Sequence, residues 1–183
     1  MSSDTRRQRS KEKLKIAMAT LLQTKPFEQI TTTELVKEAG ISRSSFYTHY
    51  QDKYDMIEYY QQALFNTIQY VFEKNKANLR NTLYETYDFL DNNEIYAALL
   101  SENGSREIHE FILQKLIKLI EDTVFTSVSP AHQLNRLEEI YAKVYYANAV
   151  FGMTQAWIRR KRRERPSVMA DLFVSLIGFE VIN

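Results

Sequence analysis

A short segment near the N-terminus contains two sets of helix start and stop signals within about twenty residues. Thr31 is followed three positions later by Glu34, which is the capping-box pattern of a helix N-terminus. Gly40 can supply the left-handed conformation that ends many helices, and Ser42 is a suitable N-cap for the next helix. The spacing predicts two short helices joined by a three-residue turn, which is the helix-turn-helix arrangement.

Helical periodicity extends over the rest of the chain. In the first helix, one continuous apolar face is formed by Leu14, Ala17, Met18, Leu21 and Leu22. No segment shows sustained alternation of apolar and polar residues, so the chain is predicted to be all-α. Residues 1–8 are expected to form a disordered arm. The predicted helices cover residues 9–23, 32–39, 43–50, 52–74, 78–92, 94–102, 105–125, 132–163 and 167–181.

The composition excludes several classes of protein. Cysteine is absent, which excludes disulfides, thiolate catalysis and Cys-based zinc sites. The polar N-terminus lacks a secretory signal, and no apolar stretch reaches the length of about 18 residues that a membrane span requires. The histidines His49, His109 and His132 are scattered without a catalytic or metal-binding pattern. We therefore expect no enzymatic activity, no cofactor and no metal, and a cytoplasmic location.

The charge is distributed unevenly along the chain. Residues 1–53 contain ten Lys and Arg against six Asp and Glu, a net charge of +4, and the remainder has a net charge of −3. A basic N-terminal unit on an acidic body is compatible with nucleic-acid binding, but such charge also occurs on ordinary surfaces. The basic run Arg159–Arg165 fits either a solvated helix C-terminus or a contact with a polyanion or partner.

The second helix of the motif has an outer face without carboxylates. Phe46 and Tyr50 share one side and can pack on the preceding helices, whereas arginine, serine and threonine on the outer side can contact base edges. The expected base-contacting residues are Arg43, Ser44, Ser45 and Thr48. Phosphate contacts are expected from Thr32, Thr33, Tyr47, His49 and Lys53. The alternative is a generic helical bundle with a solvated polar face.

The residues of this motif also match a known pattern. The run A-G-I-S-x-x-x-F-Y-x-H-Y-x-x-K, from Ala39 to Lys53, resembles the DNA-binding signature of the TetR family of bacterial regulators, over about residues 10–58. One departure is Tyr50, where many members have Phe. The resemblance implies a three-helix DNA-binding domain, residues 1–53, joined to a larger α-helical ligand-binding and dimerisation domain, residues 54–183. It also implies the base and phosphate contacts named above.

The C-terminal part shows a fainter likeness. The run Y-x-x-A-V-F-G-M-x-x-x-W-I, which begins at Tyr146 and is followed by Pro166 and a final amphipathic helix, resembles a domain of many Gram-positive members. Some regulators of dihydroxyacetone kinase operons carry such a domain.

Two apolar stripes and a set of dispersed aromatic residues suggest an interface and a pocket. The stripes either form a four-helix dimer interface or close the core of the monomer, and their members are Ile140, Val144, Phe151, Val168, Met169, Leu172, Phe173 and Leu176. The aromatic residues either line an effector pocket or belong to the core. The pocket candidates are Tyr84, Tyr87, Tyr96, Phe111, Tyr141, Tyr145 and Trp157.

These observations lead to one main functional hypothesis. The chain is expected to act as a homodimeric repressor that binds a palindromic double-stranded DNA operator and is released by a small-molecule effector. The alternative is a regulator or co-activator that acts through a protein partner.

Overall fold

The computed structural model describes residues 3–75, 78–127 and 135–178. Over these residues the chain forms helices and no strand, which confirms the all-α prediction. The predicted helix start at 132, with His132, and the predicted end at 181 lie outside the described residues. The helices are α1 (Ser3–Leu22), α2 (Thr32–Ala39), α3 (Arg43–Tyr47), α4 (Lys53–Lys74), α5 (Leu79–Asp91), α6 (Glu94–Leu100), α7 (Arg106–Ser127), α8 (Arg136–Arg159) and α9 (Pro166–Gly178), with a short 3-10 turn at Phe27–Gln29.

The described residues form two compact units, and α4 contributes to both. Unit 1 contains the chain up to Leu64 together with Asn93–Ile108, and unit 2 contains Phe65–Asn92 and the chain from His109 onward. Unit 1 therefore includes α6, which comes from the middle of the sequence. In the described part of the chain, no helix is both long enough and apolar enough to cross a membrane.

Helix α1 begins at Ser3, before the predicted start at residue 9. The expectation of a disordered arm was therefore wrong for residues 3–8. This segment contains no Gly or Pro, and its arginines and glutamine are good helix formers. The segment also adds turns to a helix that the packed residues from Leu14 onward already form. It therefore does not bear the cost of starting a new helix. The Ser10 hydroxyl donates to the carbonyl oxygen of Arg6 at 3.1 Å within this extension.

In unit 1, α1 packs against α2 and α6. Its buried stripe contains Leu14, Met18 and Leu22. Asn103, from the segment after α6, connects two parts of this unit through hydrogen bonds. Its side-chain amide donates to the carbonyl oxygen of Leu22 at 2.8 Å, and its own carbonyl accepts from the backbone N–H of Phe27 at 2.8 Å. A residue remote in sequence thus holds the end of α1 and the connector that follows it.

In unit 2, Tyr87 of α5 and Trp157 of α8 meet edge to face, with ring centroids 5.1 Å apart, and both side chains are fully buried. The Tyr87 hydroxyl lies 3.3 Å from the Thr154 hydroxyl, and the Trp157 indole N–H donates to the Glu164 carbonyl at 2.9 Å. Both polar tips are therefore satisfied inside the core, which lets these large rings be buried without an unpaired donor.

Helix α8 ends at Arg159, earlier than the predicted end at residue 163. Lys161 and Arg162 follow with φ angles of 59° and 52°, in the left-handed region. Their backbone N–H groups donate to the carbonyls of Ile158 and Trp157 at 2.8 and 2.9 Å, so the turn satisfies acceptors that the helix end leaves free. Periodicity alone did not reveal this stop, because the residues in it are not glycine.

The side chain of Arg162 folds back onto the C-terminus of α5. Its guanidinium donates to the carbonyl oxygens of Leu90 and Asp91 at 3.2 and 3.1 Å. A cation at this position also interacts favourably with the negative end of the helix dipole. The expectation that Arg159–Arg165 is simply a solvated helix end is therefore wrong for this residue.

Candidate nucleic-acid interface

The start of α2 is fixed by the predicted capping box. The Thr31 hydroxyl accepts from the backbone N–H of Glu34 at 3.2 Å, and the Glu34 carboxylate accepts from the backbone N–H of Thr31 at 2.9 Å. The ammonium of Lys25 pairs with the same carboxylate. The Lys25 hydrogen bond, followed by those from Thr31, lowers the pKa of Glu34 from 4.5 to about 2.

The turn between α2 and α3 also has the predicted chemistry. Gly40 has φ 60° and ψ 43°, which is the left-handed conformation that glycine adopts without a steric penalty. The Ser42 hydroxyl caps α3 by accepting from the backbone N–H of Ser45 at 3.1 Å. Helix α3 ends at Tyr47, short of the predicted end at residue 50, because the N–H of His49 bonds to Phe46 in a tighter turn at 2.9 Å.

Helix α3 separates apolar from polar residues as predicted. Phe46 is buried, and so is Tyr50 just beyond the helix, with ring centroids 5.8 Å apart. The four residues predicted to contact bases are not in this core: Arg43, Ser44 and Thr48 are exposed and Ser45 is half-buried. The geometry thus presents a polar, carboxylate-free surface on one side of α3.

Several polar groups on this surface already have partners within the chain. The Thr48 hydroxyl donates to the carbonyl oxygen of Ser45 at 2.7 Å, and the hydroxyls of Ser42 and Ser44 lie 3.0 Å apart. The Arg43 guanidinium lies 3.4 Å from the Tyr47 hydroxyl and 5.9 Å from the centre of its ring. These contacts orient the side chains before any ligand binds, which lowers the entropy lost on binding.

The predicted phosphate-contacting residues lie in different environments. Thr33 and Tyr47 are exposed, and Thr32 is half-buried in the first turn of α2. His49 is half-buried, and its Nδ1 has no hydrogen-bond partner among the described residues. Burial lowers the pKa of His49 below its ordinary value, and the nearby cations Arg7 and Lys11 lower it further. The imidazole is therefore neutral at pH values where a free histidine begins to gain a proton.

Lys53 is buried, with 9% of its surface exposed. Its ammonium donates to the carbonyl oxygens of Phe27, Glu28 and Ile30 at 2.9, 3.0 and 2.7 Å. An ammonium has three donors, so all of them are used within the chain. Burial lowers the pKa of Lys53. In the structure this residue therefore ties α4 to the connector before α2, which differs from the phosphate contact predicted for it.

Sequence reasoning missed two cations on α1 that lie near the motif. The ammonium of Lys11 is 5.9 Å from the centre of the Tyr50 ring, and the charge of Arg7 acts on His49. A signal was present in the spacing, because Arg7 lies seven residues before the buried Leu14 and therefore on the same face of a continuous helix.

The predicted pocket residues are dispersed over both units. Tyr87 and Trp157 meet in the core of unit 2, whereas Phe111 is half-buried against Phe65, with ring centroids 5.8 Å apart. Tyr96 belongs to unit 1, where its ring centre lies 6.3 Å from that of Tyr60. The side chains of three others are exposed, namely Tyr84, Tyr141 and Tyr145.

The predicted interface residues divide into two groups. Phe151, Met169 and Phe173 are buried within their own unit, where α9 packs against α5. The other five are exposed by 44–49%: Ile140, Val144, Val168, Leu172 and Leu176. In α9 the exposed members recur every four residues, so this helix buries one apolar face and leaves a second one open.

Comparison with known proteins identifies the class of protein that this fold and site define. The sequence matches the family described as bacterial regulatory proteins, tetR family, over residues 9–60. It also matches a transcriptional regulator C-terminal region over residues 77–178, which is more than half of the 183-residue chain. The protein is a DNA-binding transcriptional regulator of the helix-turn-helix class. It belongs to the TetR family.

Individual relatives agree with this assignment. The uncharacterized HTH-type transcriptional regulator YxbF of Bacillus subtilis is 25% identical over 174 residues, which are 90% of this chain and 44% of the relative. The nucleoid occlusion factor SlmA of Shewanella loihica is 31% identical over 67 residues, 34% of each protein. The chain thus matches less than half the length of either relative.

A solved structure shows the same fold over nearly the whole chain. The dihydroxyacetone kinase operon activator DhaS is similar with a TM-score of 0.61 and 19% identity, over 93% of this chain and 95% of that one. The likeness agrees with the resemblance predicted from the residues that follow Tyr146.

Proposed function

We propose that the protein is a homodimeric repressor that binds a palindromic operator and leaves it when a small-molecule effector binds. The observation that carries the DNA-binding part is the surface of α3. Arg43, Ser44 and Thr48 are exposed there, while Phe46 and Tyr50 on the other side are buried. Arginine can bind guanine bidentately, and serine and threonine can contact base edges or a thymine methyl group.

Phosphate contacts in this proposal come from residues around the base-contacting surface. Thr33 and Tyr47 are exposed at the two ends of the motif, and Thr32 lies in the first turn of α2. Backbone N–H groups at a helix start favour phosphate. His49 contributes as a neutral hydrogen-bonding group. Lys53 is left out of the set, because its three donors are occupied.

The homodimer is supported by the exposed apolar stripe of α9. Val168, Leu172 and Leu176 are spaced by four residues, and each leaves nearly half of its surface exposed. Ile140 and Val144 provide a second exposed pair on α8. A second copy that covers these stripes removes apolar surface from water, and a two-fold dimer presents two recognition helices to successive major grooves.

Release by an effector follows from a shift between two conformations of the dimer. In one conformation the two recognition helices have the spacing of successive major grooves, and in the other they do not. A ligand that binds better to the second conformation lowers the population of dimers that fits the operator. We place the ligand site in unit 2, most of which lies within the matched C-terminal region, residues 77–178. Such a regulator acts in the bacterial cytoplasm.

The experiment is footprinting and gel shift of the protein on the DNA upstream of its own gene. We expect protection of a two-fold symmetric site, with tighter binding than to random DNA of equal length. Splitting the site into half-sites should weaken binding strongly. Equal affinity for the site and for random DNA would show that the protein is not a sequence-specific repressor. Recovery of a stable heteromer as the only DNA-binding form would favour action through a protein partner.

A further inference from the structure

The N-terminal turns of α1 form a cationic surface beside the recognition motif. Helix α1 continues for three turns before Leu14, the first residue of its buried stripe. Arg7 and Lys11 are one turn apart in this extension, and both lie on the side of the helix that carries Leu14 and Met18. The face that packs into unit 1 therefore carries two cations, Arg7 and Lys11, in the turns before Leu14.

This cationic face borders the residues that follow α3. The ammonium of Lys11 lies 5.1 Å from the centre of the Tyr59 ring and 5.9 Å from that of Tyr50. These contacts fix the side chain of Lys11 through cation–π attraction, which leaves its charge unneutralised. Arg7 lies close enough to His49 to act on its charge. Both cations thus lie at the end of the predicted phosphate-contacting surface.

Neither cation is paired with an acid within the part of the chain that the structure describes. Lys15, in contrast, forms an ion pair with Glu12 on another side of α1 at 3.3 Å. Two unpaired cations next to a half-buried histidine repel each other, so an external anion at this place is favoured by charge. Guanidinium and ammonium groups both donate to phosphate oxygens, and arginine does so bidentately.

We propose that Arg7 and Lys11 bind the DNA backbone and extend the operator contact from α3 onto the start of α1. The occupant is a phosphate of the same duplex, because the two cations border His49, one of the predicted phosphate-contacting residues. Such contacts set position and affinity without reading sequence. The inference rests on the proposed function for the identity of the duplex, but it makes a separate statement about charge and geometry.

The test is the salt dependence of DNA binding for Arg7→Gln and Lys11→Gln. Each phosphate contact contributes a slope of about −0.9 to the plot of log K against log salt concentration. We expect each substitution to make this negative slope less steep by about 0.9 per protomer. The change should be the same on operator and on random DNA. Arg7→Lys keeps the charge and should keep the slope.

Arg9→Gln is the matched control. Arg9 is an exposed residue of the same helix, roughly 200° around the axis from Arg7, and its loss changes the net charge equally. We expect the Arg9 variant to keep the wild-type slope. Equal slopes for the Arg7 and Arg9 variants would show that the change in salt dependence comes from net charge alone, which would overturn the proposal. Unchanged slopes for Arg7→Gln and Lys11→Gln in proteins with wild-type Tm would overturn it as well.

The two proposals fail in different ways. If the wild-type protein binds all DNA equally, the operator hypothesis is wrong, but the slopes of the variants on random DNA still test the contact of α1. If the wild-type protein selects its operator and Arg7→Gln and Lys11→Gln do not change the slope, only the contact of α1 is wrong.

Discussion

The ammonium of Lys53 lies 2.7 Å from the carbonyl oxygen of Ile30 and donates one of its three hydrogen bonds there. Lys53→Met keeps the length of the side chain but leaves three carbonyls without this donor. A buried polar group without a partner costs about 1–3 kcal/mol, so we expect the free energy of unfolding to fall by roughly 3 kcal/mol. Urea denaturation measures this change.

Lys37→Met provides the comparison for this loss. Lys37 is an exposed lysine of α2, so its substitution should change the free energy of unfolding by less than about 0.5 kcal/mol. A stable Lys53→Met protein with a reduced salt dependence of DNA binding would instead support the phosphate contact predicted from the sequence.

Thr48 is expected to select bases through its methyl group, because its hydroxyl already donates to Ser45 at 2.7 Å. Thr48→Val keeps a methyl group at this position, whereas Thr48→Ser removes it. We expect Thr48→Ser to lose about 0.8 kcal/mol of discrimination, close to a fourfold change, at one base pair. Thr48→Val should keep the preference. Selection of binding sites from random DNA measures both, and the opposite result would assign base reading to the hydroxyl.

Glu34 makes the stability of unit 1 sensitive to acid. Its pKa is lowered from 4.5 to about 2 in the folded protein, so its contribution is complete above pH 4.5 and is lost as the pH falls toward 2. We expect Glu34→Gln to lower the Tm at neutral pH and the difference from wild type to shrink over this window. Thermal melts followed by circular dichroism test this. A difference that stays constant across the window would show that the carboxylate charge does not contribute.

The turn after α8 offers a matched pair of substitutions. Lys161 and Arg162 both have left-handed backbones, and glycine relieves about 1 kcal/mol of strain at either position. Lys161→Gly should therefore stabilise the protein by about that amount. Arg162→Gly also removes the donors to Leu90 and Asp91, and we expect a net loss of about 1 kcal/mol. Equal stabilisation by both substitutions in urea denaturation would show that the Arg162 hydrogen bonds contribute little.

Leu172 tests the proposed dimer. Leu172→Glu places a charge in the exposed stripe of α9, and we expect a shift to monomer in analytical ultracentrifugation together with loss of operator binding. Val174→Glu is the control, because Val174 is also exposed but lies on another face of the same helix. A dimeric Leu172→Glu protein would place the interface elsewhere.

Features that depend on neighbouring residues were predictable from the sequence. The capping box of Thr31 and Glu34, the left-handed Gly40 and the N-cap Ser42 all act within a few residues, and the structure contains each of them. The burial of Phe46 follows from helical spacing in the same way. These local signals were sufficient to place the two helices of the motif.

Features that depend on distant residues were not predictable. Lys53 looks like any surface lysine until the connector brings three carbonyls to it. Arg162 is one of several arginines in its run, and only the fold brings it to the end of α5. The division of Met169 and Leu172 between the buried and the exposed face of α9 likewise depends on the position of α5, which periodicity does not supply.

The hydrogen bonds of Asn103 have a consequence for gene recombination within the family. A hybrid that joins the first 64 residues of this protein to the remainder of a paralogue keeps α1–α3 but exchanges the segment Asn93–Ile108, which completes their unit. The carbonyl of Leu22 and the N–H of Phe27 then depend on whatever the paralogue has in place of Asn103. A hybrid that keeps these two hydrogen bonds by design therefore needs a double crossover that moves both pieces of the unit together.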